Sequence, residues 1–116
     1  MSILQELAAP NLETQPISIT CAVLDKPLKL NSRFINLLSK FHGLAGEDPY
    51  RHIRELLITC SAMMPEGIHE DQIRLRAFPF SLLRNAKDWL YYMPVGSFST
   101  WTALHKSFLE FFFPAS

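Results

Sequence analysis

The stretch that decides the fold is Phe-Pro-Phe-Ser-Leu-Leu-Arg-Asn-Ala-Lys-Asp-Trp-Leu, residues 78–90. Pro79 would collide with the carbonyl four residues earlier in a continuing α-helix and disfavours helical geometry at Phe78, so a helix is predicted to end or kink there. Ser81 is then a candidate N-cap for a following helix, in which Leu82, Ala86, Trp89, Leu90 and Met93 repeat at core spacing. Pro94-Val95-Gly96 closes that helix. Two helices meeting at a proline corner make a bundle more natural than a sheet. Trp89 is then a core anchor beside Ala86 and Leu90; a base-stacking aromatic of the strand-built kind would need strands, and none is predicted around it.

Upstream, His69–Phe78 reads as a helix with Glu70 and Asp71 at its positive end and Ile73, Ala77 and Phe80 along one side. Before it, Asp48 can accept hydrogen bonds from first-turn amides and Pro49 fits the first helical position, where its missing N–H is no loss. The buried stripe of that helix is Ile53, Leu56, Leu57, Cys60, Met63 and Met64, closed by Pro65 and Gly67. An earlier helix carries Leu30, Phe34, Leu37, Leu38 and Phe41 on one face and is predicted to stop near Gly43 and Gly46. A last helix, capped by Ser99 or Thr100, would bury Trp101, Leu104, Phe108, Phe111 and Phe112. Three consecutive phenylalanines cannot all face one core, so at least one, chiefly Phe113, is expected to be exposed, or buried by another chain or by a segment outside this sequence. Phe111 and Phe113 are therefore the candidate interface residues.

Residues 1–27 carry Pro10, Pro16 and Pro27 and read as an extended arm, although "ISITCAVL" has the β-branched content of a short strand. The expectation is an all-α bundle of about five helices over residues 28–116, preceded by that arm.

Composition narrows function. At 116 residues and 48% hydrophobic, one domain is expected. Eleven basic residues balance eleven acidic ones, so the electrostatic footprint of a dedicated nucleic-acid binder is missing. Arg74, Arg76, Arg84 and Lys87 are interleaved with Asp71 and Asp88, the pattern of a solvated, salt-bridged face. Cys21 and Cys60 are too few for a disulfide framework, and His42, His52, His69 and His105 have no metal-binding spacing. Nucleophile-elbow, phosphate-loop and dinucleotide motifs are missing. No enzymatic activity, cofactor, metal or small-molecule substrate is expected. The N-terminus lacks the basic flank and apolar run of a signal peptide, and no window approaches a membrane span. An intracellular protein is expected, cytoplasmic with a nuclear location left open.

Several motifs, in order, resemble one family: Gly46-Glu47-Asp48-Pro49, Ile73-Arg74-Leu75-Arg76, Phe78-Pro79-Phe80-Ser81-Leu82, Ala86 to Leu90, and Phe112-Phe113-Pro114. Over about residues 28–116 the chain looks like the Gag capsid-region domain of plant gypsy-type long-terminal-repeat retrotransposons, particularly the Athila-like group. The resemblance implies a non-enzymatic segment related to the N-terminal lobe of retroviral capsid, which self-associates into particles. It implies RNA packaging only through segments outside this sequence, since neither cysteine can supply a zinc knuckle. Family members carry acidic residues where this chain has Arg84 and Thr102-Ala103, which implies a drifted copy lacking dipole and capping-box terms of roughly 0.5 to 1 kcal/mol each. Three other readings stand beside self-assembly: a domesticated adaptor binding host peptides in a hydrophobic groove, an RNA-binding helical module, and an inactive element remnant.

Overall fold

The computed structural model describes residues 16–24, 28, 30–63 and 67–113. The fold is all-α: α1 (Ser32–Leu37), α2 (Pro49–Ser61), α3 (Glu70–Ala77), a 3-10 turn (Phe78–Ser81), α4 (Arg84–Tyr91) and α5 (Trp101–Phe112). Among the described residues there are no strands, only two isolated parallel bridges, Ile19 with Phe98 and Phe41 with Leu82. Nor is any helix there long and apolar enough to cross a membrane. Met64, Pro65, Pro114 and the arm residues 1–15 and 25–27 lie outside the described residues.

Local chemistry starts most of these helices. Asn31 Oδ1 accepts from the Phe34 amide at 2.8 Å, Asp48 Oδ1 from Tyr50 and Arg51 at 3.0 and 3.2 Å, and Thr100 Oγ1 from Ala103 at 3.1 Å. Each satisfies amides that the first helical turn leaves without a partner. Ser99 makes no such bond; it lies outside the cap. His69 Nδ1 accepts from Asp71 N at 3.1 Å, and Glu70 and Asp71 fill the first turn of α3.

The first helix is much shorter than its apolar spacing predicts. It ends at Leu37, and Leu38 is already extended at φ −68°, ψ 129°. The chain then runs straight through Phe41, whose amide donates to Ser81 O at 2.8 Å and whose carbonyl accepts from Leu83 N at 2.9 Å. A helix continuing to Gly43 would forfeit these bonds and the burial of Phe41 against Phe108 and Phe112, at ring separations of 5.0 and 5.2 Å. Long-range pairing overrides a local period. Lys40 reinforces the exit by donating to the carbonyls of Ile35 and Phe80, at 3.0 and 2.9 Å.

At the proline corner α3 ends at Ala77 but the chain stays helical, tightening into the 3-10 turn with Pro79 near its start. A 3-10 turn advances 120° per residue where an α-helix advances 100°, so the residues beyond Pro79 leave the predicted face. Phe80 is therefore only half-buried, while Leu75 within α3 and Phe78 at its end are fully buried. Ser81 is not the N-cap of α4: it is fully buried, and its hydroxyl donates to Phe78 O at 2.6 Å. Instead α4 begins after Leu83, without a side-chain cap, and its Ala86 amide donates to the carbonyl of His42 at 3.1 Å. The crossing segment caps this helix with backbone.

Phe34, Leu38, Ile53, Cys60, Ile73, Ala86, Leu90, Trp101, Leu104 and Phe108 are buried in one core. Leu57, Phe80, Trp89 and Phe112 pack against it but are only partly buried, and Phe111 is exposed. These five depart from the predicted buried stripes, because α2, α3 and α5 pack on one another and leave α4 on the flank. Residues 16–24 of the expected arm are docked, with Ser18 Oγ bonded to Leu90 O at 2.9 Å and Thr20 N to Phe98 O at 2.8 Å. Pairing to a loop rather than to a strand explains why this β-rich segment makes one bridge only.

Two backbone positions give a test. Gly43 has φ +82°, and a Cβ there would lie 2.8 Å from Phe112 Cε1 and 3.0 Å from Ala86 N. Arg84 holds φ +49° without being glycine. Gly43→Ala is expected to lower unfolding free energy by about 2 kcal/mol, and Arg84→Gly to raise it by up to about 1 kcal/mol, in urea titrations. Arg84→Glu, which changes the charge and leaves the positive φ strained, should change stability by less than Arg84→Gly does.

Candidate interaction surface

Two clusters among the described residues carry enough chemistry to be sites. The first is buried. His52 is 4% exposed on α2, with Nε2 at 3.0 Å from Ser81 Oγ and Nδ1 at 3.4 Å from Ser39 Oγ. Because Ser81 gives its own proton to Phe78 O, it must accept from His52, which assigns the ring proton to Nε2 and leaves Nδ1 to accept from Ser39. Burial pushes the imidazole down to about 4; Glu55 and Glu47 pull weakly the other way, and Lys40 adds to the depression. This chain of bonds ties the α1 exit, α2 and the 3-10 turn together. It puts a serine beside a histidine, but the Ser81 hydroxyl is enclosed and committed to a carbonyl. Sequence reading passed over His52 as a core residue, though its spacing with Leu56 and Cys60 at i, i+4 and i+8 was the available signal.

Glu47 organises the loop before α2. Its carboxylate accepts from the amides of His42 and Leu44 and from His42 Nδ1, at 2.8 to 3.1 Å. Burial alone would raise this carboxyl, but those hydrogen bonds and the His42 charge hold it below the usual range.

The second cluster reaches the surface. Trp89 on α4 contacts Phe98, Phe108, Phe111 and Phe112, with ring centroids 5.8 to 6.0 Å apart. Phe108 on one side is wholly buried, while Phe111 on the other is 61% exposed, so the tryptophan connects core to solvent. Beside it an open cleft of about 380 Å³ is lined by Trp89, Met93, Ser107, Glu110 and Phe111. Phe113 is 55% exposed at the end of α5, and Tyr91 and Tyr92 are exposed at the end of α4. Among the described residues, these large aromatics left uncovered at the ends of two helices make the candidate contact surface.

The basic residues do not form a free patch on α3. Arg74 pairs with Glu70 and Asp71 at 3.4 and 3.1 Å, and Arg76 donates to Gln72 and to the Ala22 carbonyl. Arg84 and Lys87 lie exposed on α4, with Lys87 Nζ 5.8 Å from the Tyr91 ring centre. Among the described residues no three His, Cys, Asp or Glu side chains are grouped as metal ligands would be.

The His52 shift gives a pH dependence of definite sign. Its folded value of about 4 lies below the ordinary 6.5, so the folded chain binds fewer protons than the unfolded one. Its contribution is complete above pH 6.5 and is lost as pH falls towards 4, amounting to about 3 kcal/mol. Urea midpoints measured from pH 7.5 to 4 should fall accordingly, and in His52→Gln the slope over that window should flatten.

No family model, curated protein or solved structure matches the chain.

Proposed function

We propose that this chain is a Gag-type structural domain whose work is assembly with other copies of itself. The observation that carries the reading is the exposed aromatic surface, Phe111 and Phe113 beside the Trp89–Met93 cleft, on a helical bundle whose charges balance. Apolar rings held in water at helix ends gain by being covered, and a chain with no net charge offers its own copies no long-range repulsion. The ordered motifs from Gly46-Glu47-Asp48-Pro49 to Phe112-Phe113-Pro114 support the same reading, and with it kinship to a capsid N-terminal lobe. Cys21 and Cys60 are unpaired thiols, in keeping with assembly inside the cell, in the cytoplasm. On this reading no catalysis is involved, and contact with RNA falls to other segments of a longer polyprotein.

A second reading has one observation in its favour. A separate cleft of about 230 Å³ between α1 and α2, lined by Phe34, Leu37, Met63, Asn31 and Arg33, has the size and polarity to hold an apolar side chain of a peptide. This is the adaptor alternative.

Sedimentation equilibrium from about 1 µM to about 1 mM should show the average mass rising above 13.3 kDa with concentration. A constant monomer mass across that range, together with saturable peptide binding at the α1–α2 cleft, would favour the adaptor instead.

A further inference from the structure

The self-contact has a geometry that the solvent face of α5 specifies. We infer that two copies pair their α5 helices antiparallel across a two-fold axis, each Phe111 seating against the other's Trp89–Met93 cleft, with Lys106 of each copy facing Glu110 of the other. This deepens the assembly reading and rests on it.

The argument begins with charge. Lys106 and Glu110 are exposed one helical turn apart, and neither forms an ion pair within the described residues. Lysine placed before glutamate is the less favourable order for a pair within one helix, so both charges stay available. Four residues of helix separate them by about 6 Å along the axis. A two-fold axis lying between two antiparallel helices, level with Phe108, sets Lys106 of each copy opposite Glu110 of the other. Both ion pairs then form at once. Parallel pairing in register would set lysine against lysine and glutamate against glutamate, which charge disfavours. The contact is thus isologous and closes on itself.

Shape agrees with charge. Ala103 and Ser107 occupy the same solvent face as Glu110, at positions 100° per residue around the helix. Small side chains there let two helix axes come within about 8 Å. Phe111 lies at the edge of this face, towards α4, where its ring is 5.9 Å from that of Trp89. The two-fold operation keeps it on the edge that bears α4 and carries it about 4.5 Å to the far side of the axis. Helical side chains lean towards their own N-terminus, which on the antiparallel partner points the ring back to the level of Ser107, a wall of the cleft. Knob and cleft are adjacent on each copy, and each is filled by the other.

The test uses the full chain and measures the dimer dissociation constant by sedimentation equilibrium, with circular dichroism melts to establish that each variant folds. Phe111→Ala should weaken dimerisation about 30-fold, as truncating an aromatic anchor that fills a cleft on the partner does. Lys106→Glu and Glu110→Lys should each weaken it about 10-fold by opposing like charges across the axis, and the double variant should return to within about 3-fold of the parent. Rescue by the swap is a result that a purely structural role for either residue would not produce. Ser107→Cys should cross-link into a covalent dimer under mild oxidation, because it sits beside the axis. If the chain associates but Phe111→Ala leaves the constant unchanged and the swap gives no rescue, this pairing is overturned while assembly stands. If the parent chain stays monomeric throughout, the assembly reading falls and this pairing with it.

Discussion

The structure hangs on one backbone crossing, where the extended segment through Phe41 and His42 lies against the chain leaving the proline corner. Three hydrogen bonds of 2.8 to 3.1 Å make it: Phe41 N–H to Ser81, Leu83 N–H to Phe41, and Ala86 N–H to His42. The first two replace helical bonds that the end of α1 gives up, and the third satisfies a first-turn amide of α4. Gly43 follows at once with a positive φ, because the chain there passes too close to Phe112 and to the α4 backbone to carry a side chain. Remove the crossing, and α1 has no reason to stop, α4 no cap, and Phe41 no place in the core.

Around that joint the interior is both aromatic and polar. Phe41, Phe78 and Phe108 meet edge to face at ring distances of 5.0 to 5.1 Å, and the His52 ring lies 5.4 to 6.2 Å from all three. A histidine can be enclosed there only because the two serines take up its hydrogen bonds while it stays neutral. The same aromatic system then runs outward through Trp89 to Phe111. Core and exposed aromatic face are therefore one continuous packing unit, and covering Phe111 would bear directly on the ring that anchors α4.

How much of this was legible depended on the range of the interaction. Asp48 with Pro49, Thr100, and the proline corner at residue 79 act within four residues of themselves, and their effects could be read locally. Ser81 could not, because a serine two residues past a proline has the signature of an N-cap, whereas its real partner, His52, stands 29 residues away. Phe80 lost part of its expected burial because the turn tightened by about 20° per residue, a change in period that apolar spacing does not encode. Of the candidate contact residues, Phe113 was expected at the surface from the run of three phenylalanines alone. The exposure of Phe111 and its cleft with Trp89 required the placement of α4 on the flank.

By itself the sequence determined that this protein is a set of amphipathic helices, with starts marked at Asp48 and Thr100, no net charge and too many aromatics at its end for one core. Those properties follow from side-chain chemistry and from bonds between near neighbours in the chain. Only the tertiary structure decided where α1 stops, which side chain Ser81 serves, and which phenylalanine is left in water. Each of these was settled by competition between a local preference of a fraction of a kcal/mol per residue and buried long-range contacts worth more, and the long-range contacts won.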